Sequence, residues 1–153
     1  MLIKAIAHCH SYKIAHRDIK PENIMLNKEG HVTLIDFGLS KHKSAVKTMK
    51  SIVGSPYYVA PEVLDGHYGL KWDIWSLGVI LYILLWGYLP FSGNELPEIF
   101  DKIQEGKYSM KQKEWDSVSA EAKDLVSKML ETNPKKRFSA QKWLQVSNFV
   151  LFW

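Results

Sequence analysis

The sequence predicts a mainly α-helical lobe with one small β-hairpin near its start. Three observations lead there. Residues 74–86 are an uncharged, apolar run of helical length. From Pro61 onward, proline, serine and glycine punctuate a succession of segments with helical periodicity. Near the start, 24–26 and 31–35 are short strand-like runs joined by the turn-type linker Asn27-Lys28-Glu29-Gly30.

Residues 2–12 read as a helix with Leu2, Ile3, Ile6, Ala7 and Cys9 apolar. No capping residue precedes it, so Met1 reads as an internal methionine of a fragment or an incomplete gene model. Residues 14–23 are polar, and Pro21 forbids a regular helix there. Residues 39–56 are basic and hydroxyl-rich, the composition of a loop. Pro61 opens a short helix over 61–64, and Asp73 is placed to cap the helix 74–86. A helix over 95–105 ends at Gly106. Ser119 caps the next, in which Ala122, Leu125, Val126, Met129 and Leu130 share a face, and Ser139 caps a last one over 140–146. There is no repeat, low-complexity segment or interdomain linker, so the 153 residues read as one unit.

Composition narrows the class. With 46% hydrophobic and 24% charged residues, the chain can bury a core and is not disordered. The net charge of +4 is a mild lysine excess. Its local concentration, Lys41, Lys43, Lys47 and Lys50, has no interleaved aromatics, so no nucleic-acid partner is expected. The uncharged run 74–91 is closed early by Gly87 and Pro90, which leaves about 22 Å of helix. That is too short for a bilayer, and no membrane partner is expected. One cysteine, Cys9, excludes an internal disulfide and reads as a small core residue. The start has no signal-peptide character, because Lys4, His8 and His10 interrupt it. The expected location is the cytoplasm, with the nucleus as the other reducing compartment.

The chemistry concentrates between 16 and 38. Asp18, Lys20, Glu22 and Asn23 crowd one irregular loop, and Asp36 follows at the end of a strand. A hairpin of that length returns the chain to its start, so that Asp36 faces Asn23 and Asp18. Amide and carboxylate oxygens from Asn23 and Asp36 suit Mg²⁺. Asp18 remains to position or deprotonate a nucleophile, and Lys20 supplies positive charge to a transferring phosphoryl group. This set points to phosphoryl transfer. Taken singly, each residue reads rather as part of a polar loop bonding its own backbone; the set at this spacing does not.

At this point the sequence resembles the eukaryotic protein kinases: HRDIKPEN at 16–23 matches the catalytic loop, DFG at 36–38 the metal-binding turn, and APE at 60–62 the end of the activation segment. The resemblance covers nearly the whole chain and is strongest over 1–144. It implies the C-terminal lobe of the kinase fold, a helical bundle with a small hairpin beside the catalytic loop, and the N-terminal lobe outside this chain. It implies Asp18 as the catalytic aspartate, Asn23 and Asp36 as Mg²⁺ ligands, and Lys20 beside the γ-phosphate of ATP, the mark of Ser/Thr specificity. Arg17 matches the arginine that pairs with a phosphorylated activation loop, Ser51 the phosphorylation position, and Ser55 the hydroxyl residue that aligns substrate. Met25 matches the residue under adenine, and Glu22 an acidic determinant for basic residues upstream of the target Ser or Thr. His16 and Phe37 match structural positions of the two motifs, Glu62 and Arg137 an ion pair anchoring the activation segment, and Asp73 the helix residue bracing the catalytic loop.

YYVAPEVL, KWDIWSLGVILYILLWGYLPF and AKDLVSKML look like the calcium- and calmodulin-dependent group, and most like the calcium-dependent kinases of plants and protists. No D-x-[DN]-x-[DN]-G loop occurs, so a calcium sensor is not in this chain. VSNF at 146–149 departs from the His-Pro-Trp-type ending of the family. None of the nine glycines builds a G-x-G-x-x-G loop, and no V-A-I-K-like segment precedes His16. The resemblance therefore implies a Ser/Thr kinase lobe acting on protein substrates, inactive in isolation. The alternative is a truncated relative that only docks substrates.

Overall fold

The computed structural model describes residues 2–42, 55–67, 69–111 and 113–147. The mainly helical expectation holds. The order is α1 (Leu2–Ser11), β1 (Ile14–Ala15), a 3₁₀ turn (Pro21–Asn23), β2 (Ile24–Leu26), β3 (Val32–Leu34), β4 (Lys41–His42), a 3₁₀ turn (Pro56–Tyr58), α2 (Pro61–Leu64), α3 (Trp72–Trp86), α4 (Leu96–Glu105), a 3₁₀ turn (Lys113–Ser117), α5 (Ala120–Met129) and α6 (Ala140–Ser147).

Everything is arranged about α3. Every residue from Trp72 to Ile80 is buried, because the helix is apolar on all sides and has core on both flanks. On one flank lie Ile3 and Ile6 of α1, Leu125 and Met129 of α5 and Trp143 near α6's middle. On the other lie Phe91, Ile99 and Ile103 of α4, and Trp115. Trp75 stacks on Phe91 with centroids 5.4 Å apart and planes 8° from parallel, a contact contributing beyond its buried area. At Gly78, α3 packs tightly against Met129 of α5. A Cβ there would stand 2.8 Å from Met129 Cβ. Gly87 ends the helix at φ 88°, its N–H donating to Ile83 O at 2.6 Å, a left-handed stop that glycine adopts without strain. Among the described residues no helix is long and apolar enough to cross a membrane.

Local signals place several ends correctly. Ser119 Oγ accepts from Ala122 N at 3.2 Å, Ser139 Oγ from Lys142 N at 3.1 Å, and Gly106 closes α4 at φ 64°. The hairpin β2–β3 is antiparallel in the register Ile24↔Leu34, Met25↔Thr33, Leu26↔Val32.

Four expectations are corrected. A second two-stranded sheet pairs β1 with β4 through Ile14↔His42 and Ala15↔Lys41; strands of two residues carry no readable alternation. Residues 113–117 coil into a turn that the sequence did not announce. Cys9 is half-buried rather than in the core. Finally, Asp73 does not cap α3. The helix starts one residue earlier, at Trp72, and the Asp73 side chain turns to another use.

One apolar face is open. A groove of about 450 Å³ is lined by Leu2, Ile24, Ile80, Leu84, Met129 and Trp143, among others, and Leu84 is 77% exposed.

Candidate active site

The loop 16–23 is held from below by α3. Asp73 is 1% exposed, and its carboxylate accepts from two successive backbone amides: His16 N to Oδ2 and Arg17 N to Oδ1, both at 2.9 Å. These contacts accompany an unusual backbone, since Arg17 sits at φ 74°. A non-glycine residue stays there only where its surroundings over-determine it. The Arg17 guanidinium lies over Trp72, 5.4 Å from the ring centroid, so the first residue of α3 carries the side chain and the second carries the main chain.

His16 ties this loop to the strand end that follows β3. Its Nδ1 accepts from Asp18 N at 3.3 Å and its Nε2 faces Ile35 O at 3.0 Å. A ring whose Nδ1 accepts and whose Nε2 meets a carbonyl is the Nε2–H tautomer. Phe37, half exposed, meets the same ring edge-on at 4.7 Å. The backbone repeats the link, with Ile35 N donating to Asn23 O at 2.9 Å. Two sequence-distant segments, 16–23 and 35–37, are thus joined three ways.

Asp18, Lys20 and Asn23 come together at the surface of this frame. Asn23 Nδ2 donates to Asp18 O at 2.8 Å and to Asp18 Oδ2 at 3.0 Å. Lys20 Nζ lies 2.9 Å from the same Oδ2. Both donors fall on one oxygen. Among the described residues, Asp18 Oδ1 receives no hydrogen bond, and it belongs to a residue only 8% exposed. The hydrogen bond to Asp18 is the main reason that the Lys20 ammonium is pushed up from its usual pKa, with desolvation opposing it and the charges of Asp18, Glu22 and Asp36 assisting. Lys20 therefore stays charged at neutral pH.

Asn23 turns its nitrogen to Asp18, which leaves its carbonyl oxygen for another partner. Asp36 adopts φ 61°, and Gly38 N donates to its Oδ1 at 3.1 Å, a local turn that Asp tolerates. An amide oxygen and a carboxylate are hard donors suited to a divalent cation that also takes phosphate oxygens. Among the described residues no three His, Cys, Asp or Glu side chains gather into a self-sufficient metal cage. The donor set fits a shared ion, not a structural one. Met25 lies on β2, 55% exposed, and Glu22 is exposed in the 3₁₀ turn.

Ser55 shares a small crevice with Arg17, Asp18, Tyr58 and Ser76. Ser76 Oγ on α3 donates to Tyr58 O at 2.7 Å, so the segment around Ser55 is referenced to the same helix as the loop. Farther along, Arg137 clamps Glu62 with two bonds of 2.7 Å. It spends its remaining donors on carbonyls of Glu131, Lys71 and Thr132 and lies over Trp75 at 5.0 Å. Both partners are under a tenth exposed. Ser51, with Lys43, Lys47 and Lys50, lies outside the described residues.

One residue escaped the sequence reading. His10, at the end of α1, has Nε2 2.8 Å from Asp73 Oδ2. A lone histidine six residues before a motif has no distinguishing spacing, and its partner is 63 positions away.

Residues 1–149 match the family model described as protein kinase domain. The chain is 46% identical over 146 residues to calcium-dependent protein kinase 12 of Arabidopsis thaliana, covering 94% of this chain and 30% of that protein. It is 43% identical over 156 residues to myosin light chain kinase A of Dictyostelium discoideum, covering 96% and 53%. It is 40% identical over 154 residues to calcium-dependent protein kinase 5 of Plasmodium berghei, covering 99% and 27%. The chain thus spans between about a quarter and about half the length of these relatives.

Proposed function

The chain belongs to the protein kinase family, and from that premise we propose that it is the acceptor-side half of a Ser/Thr kinase active site, transferring the γ-phosphoryl group of ATP to protein hydroxyls. The observation that carries the reading is the one-sided load on Asp18. Oδ2 holds Asn23 and Lys20, while Oδ1 is left for an incoming hydroxyl. A base held by two bonds on one oxygen presents the other in a fixed direction.

Asp18 accepts or orients the proton of the Ser or Thr acceptor. Lys20, charged and 2.9 Å from Asp18, sets positive charge where the phosphoryl group passes. Asn23 and Asp36 would hold Mg²⁺, which, when bound, neutralises charge on the phosphates. Met25 presents an apolar exposed side chain on which adenine would rest. Ser55, which lines the same crevice as Asp18, aligns the acceptor segment. Exposed Glu22 favours substrates with basic residues upstream. Arg17 answers phosphorylation at Ser51. The family names of the relatives support the calcium-dependent branch. The cytoplasm is the proposed location.

These 153 residues hold no Gly-rich loop and no strand lysine for the α/β-phosphates. Alone, the chain therefore turns over little or not at all. The test is a radiolabelled ATP assay with Mg²⁺ and a serine peptide carrying upstream arginine. The chain is assayed alone and fused behind a relative's Gly-rich-loop segment. The fusion is expected to phosphorylate the peptide and Asp18→Ala to abolish it. Turnover by the chain alone at the fusion's rate would overturn the inactive-half reading. A folded fusion that binds peptide and ATP without turnover would favour a docking role.

A further inference from the structure

The connection between α2 and α3 and the one between α5 and α6 border a common cavity of about 460 Å³. None of its lining residues belongs to the segment 16–38. Its wall is of two kinds: Leu70 and Pro134 are apolar, while Lys71, Lys135 and His67 bring nitrogen donors. We propose that this cavity is a further binding site of the lobe, taking a phosphorylated serine or threonine side chain of a peptide.

Charge is the first argument. Among the described residues, Glu62 is the only carboxylate in the lining, and both its oxygens are taken by Arg137 at 2.7 Å. Asp65, the next acid in the chain, accepts from Gln104 at 3.1 Å and lines a different cavity. His10, also on the wall, is committed to Asp73. Lys71 Nζ donates to Arg137 O at 2.6 Å and to Lys135 O at 3.2 Å. Those oxygens are neutral, so hydrogen bonding is met but charge is not. An ammonium has three donors, which leaves one for a ligand. Burial holds the Lys71 amine below its usual pKa, and the charges of Arg137 and Lys142 add to that, with Glu62 opposing. A half-buried cation beside two others gains more from an incoming anion than an exposed lysine does.

Preorganisation is the second. Lys135 is held at both ends of its backbone: its carbonyl accepts from Lys71, and its N–H donates to Asn133 Oδ1 at 2.9 Å. The amides of Lys136 and Arg137 both donate to Asn133 O at 3.0 Å. On the other turn, His67 N donates to Glu62 O at 2.7 Å. Both turns are therefore set before a ligand arrives, which lowers the ordering cost of binding.

The third argument is the match of ligand to wall. A phosphoryl group on a side chain carries a charge of about −1.5 to −2 and three acceptor oxygens, suited to several nitrogen donors at once. A bare phosphate would leave the part of the cavity beside Leu70 and Pro134 unfilled. The carbon stem of a phosphorylated side chain and its peptide neighbours supply the apolar contact.

The experiment is an NMR titration of the whole chain with acetyl-Leu-phosphoserine-Leu-amide, which needs neither ATP nor turnover. Saturable shifts are expected at the Gly69, Leu70 and Lys135 amides. Binding should weaken by about tenfold with the serine peptide and in Lys71→Met, and by about threefold in Lys135→Ala, which alters an exposed residue. Inorganic phosphate should bind more weakly than the phosphopeptide; equal affinity would overturn the peptide as ligand. Shifts reproduced by sodium chloride at the same ionic strength, or confined to Val59 in the crevice beside Arg17, would overturn the site. So would an unchanged affinity in both lysine variants. Should Lys71→Met not fold, Lys135→Ala decides.

Discussion

The loop 16–23 and the hairpin that follows it contribute neighbouring parts of one site but are supported differently. Asp18 and Asn23 are 8% and 6% exposed, and their loop is held through the His16 and Arg17 amides by Asp73, itself 1% exposed. Met25 and Phe37 are 55% and 44% exposed, and Asp36 holds itself by a local turn to Gly38. The first region is fixed by groups distant in sequence, the second largely by its own backbone. Under the proposed function, precision on the acceptor side comes from within this lobe. The exposed face of the hairpin is the surface that the proposed function gives to nucleotide.

If that contrast is right, damage far from the loop on the supported side should outweigh damage in the hairpin itself. The largest effect is expected from Arg137→Met, which leaves Glu62 buried without its partner. The expected loss is about 3–5 kcal/mol in urea denaturation. Glu62→Gln, which keeps a hydrogen-bonding side chain, should cost less. Next comes Gly78→Ala. Its Cβ would meet Met129 Cβ at 2.8 Å, and overpacking of about 1–3 kcal/mol should exceed the gain of up to about 1 kcal/mol in helix propensity. A lowered melting temperature checks it; an unchanged one would show that α3 and α5 can part freely.

Tyr82 offers a pH handle in the core on the far flank of α3. Its hydroxyl donates to Ser109 O at 2.6 Å, and burial pushes the phenol up to about 12 from a usual value of 10.0. The folded state favours the neutral form. The stabilisation is complete below pH 10 and is lost as pH rises toward 12. Tyr82→Phe should flatten that part of the stability–pH curve and cost about 0.5–1.5 kcal/mol at neutral pH. The smallest effect is expected in the hairpin. Met25→Ala should change stability by less than about 0.5 kcal/mol, and a loss above 1 kcal/mol would erase the contrast between the regions.

The sequence announced what is local and hid what is distant. Ser119 and Gly106 declare helix ends because their effect is spent within one turn. The hairpin at 24–34 was legible because two short apolar runs flank a turn-type linker. Asp73 was open to two readings: its place near the start of an apolar run suggested a cap, while family resemblance suggested a brace. The brace depends on amides 56 and 57 positions away, and nothing in local spacing encodes that. His10 was invisible for the same reason. The sheet β1–β4 was missed because pairs of two-residue strands leave no period to read.

Asp73 and Ser76 lie less than one turn apart on α3, one bonded to the loop before Asp18 and the other to Tyr58 beside Ser55. Both segments that would meet at an acceptor hydroxyl under the proposed function are therefore surveyed from a single benchmark. When thermal motion tilts α3, the two segments move in common mode, and the displacement largely cancels in the distance between them. The spacing of Asp18 and Ser55 then tolerates motion of the lobe as a whole, and is sensitive mainly to play in these few joints.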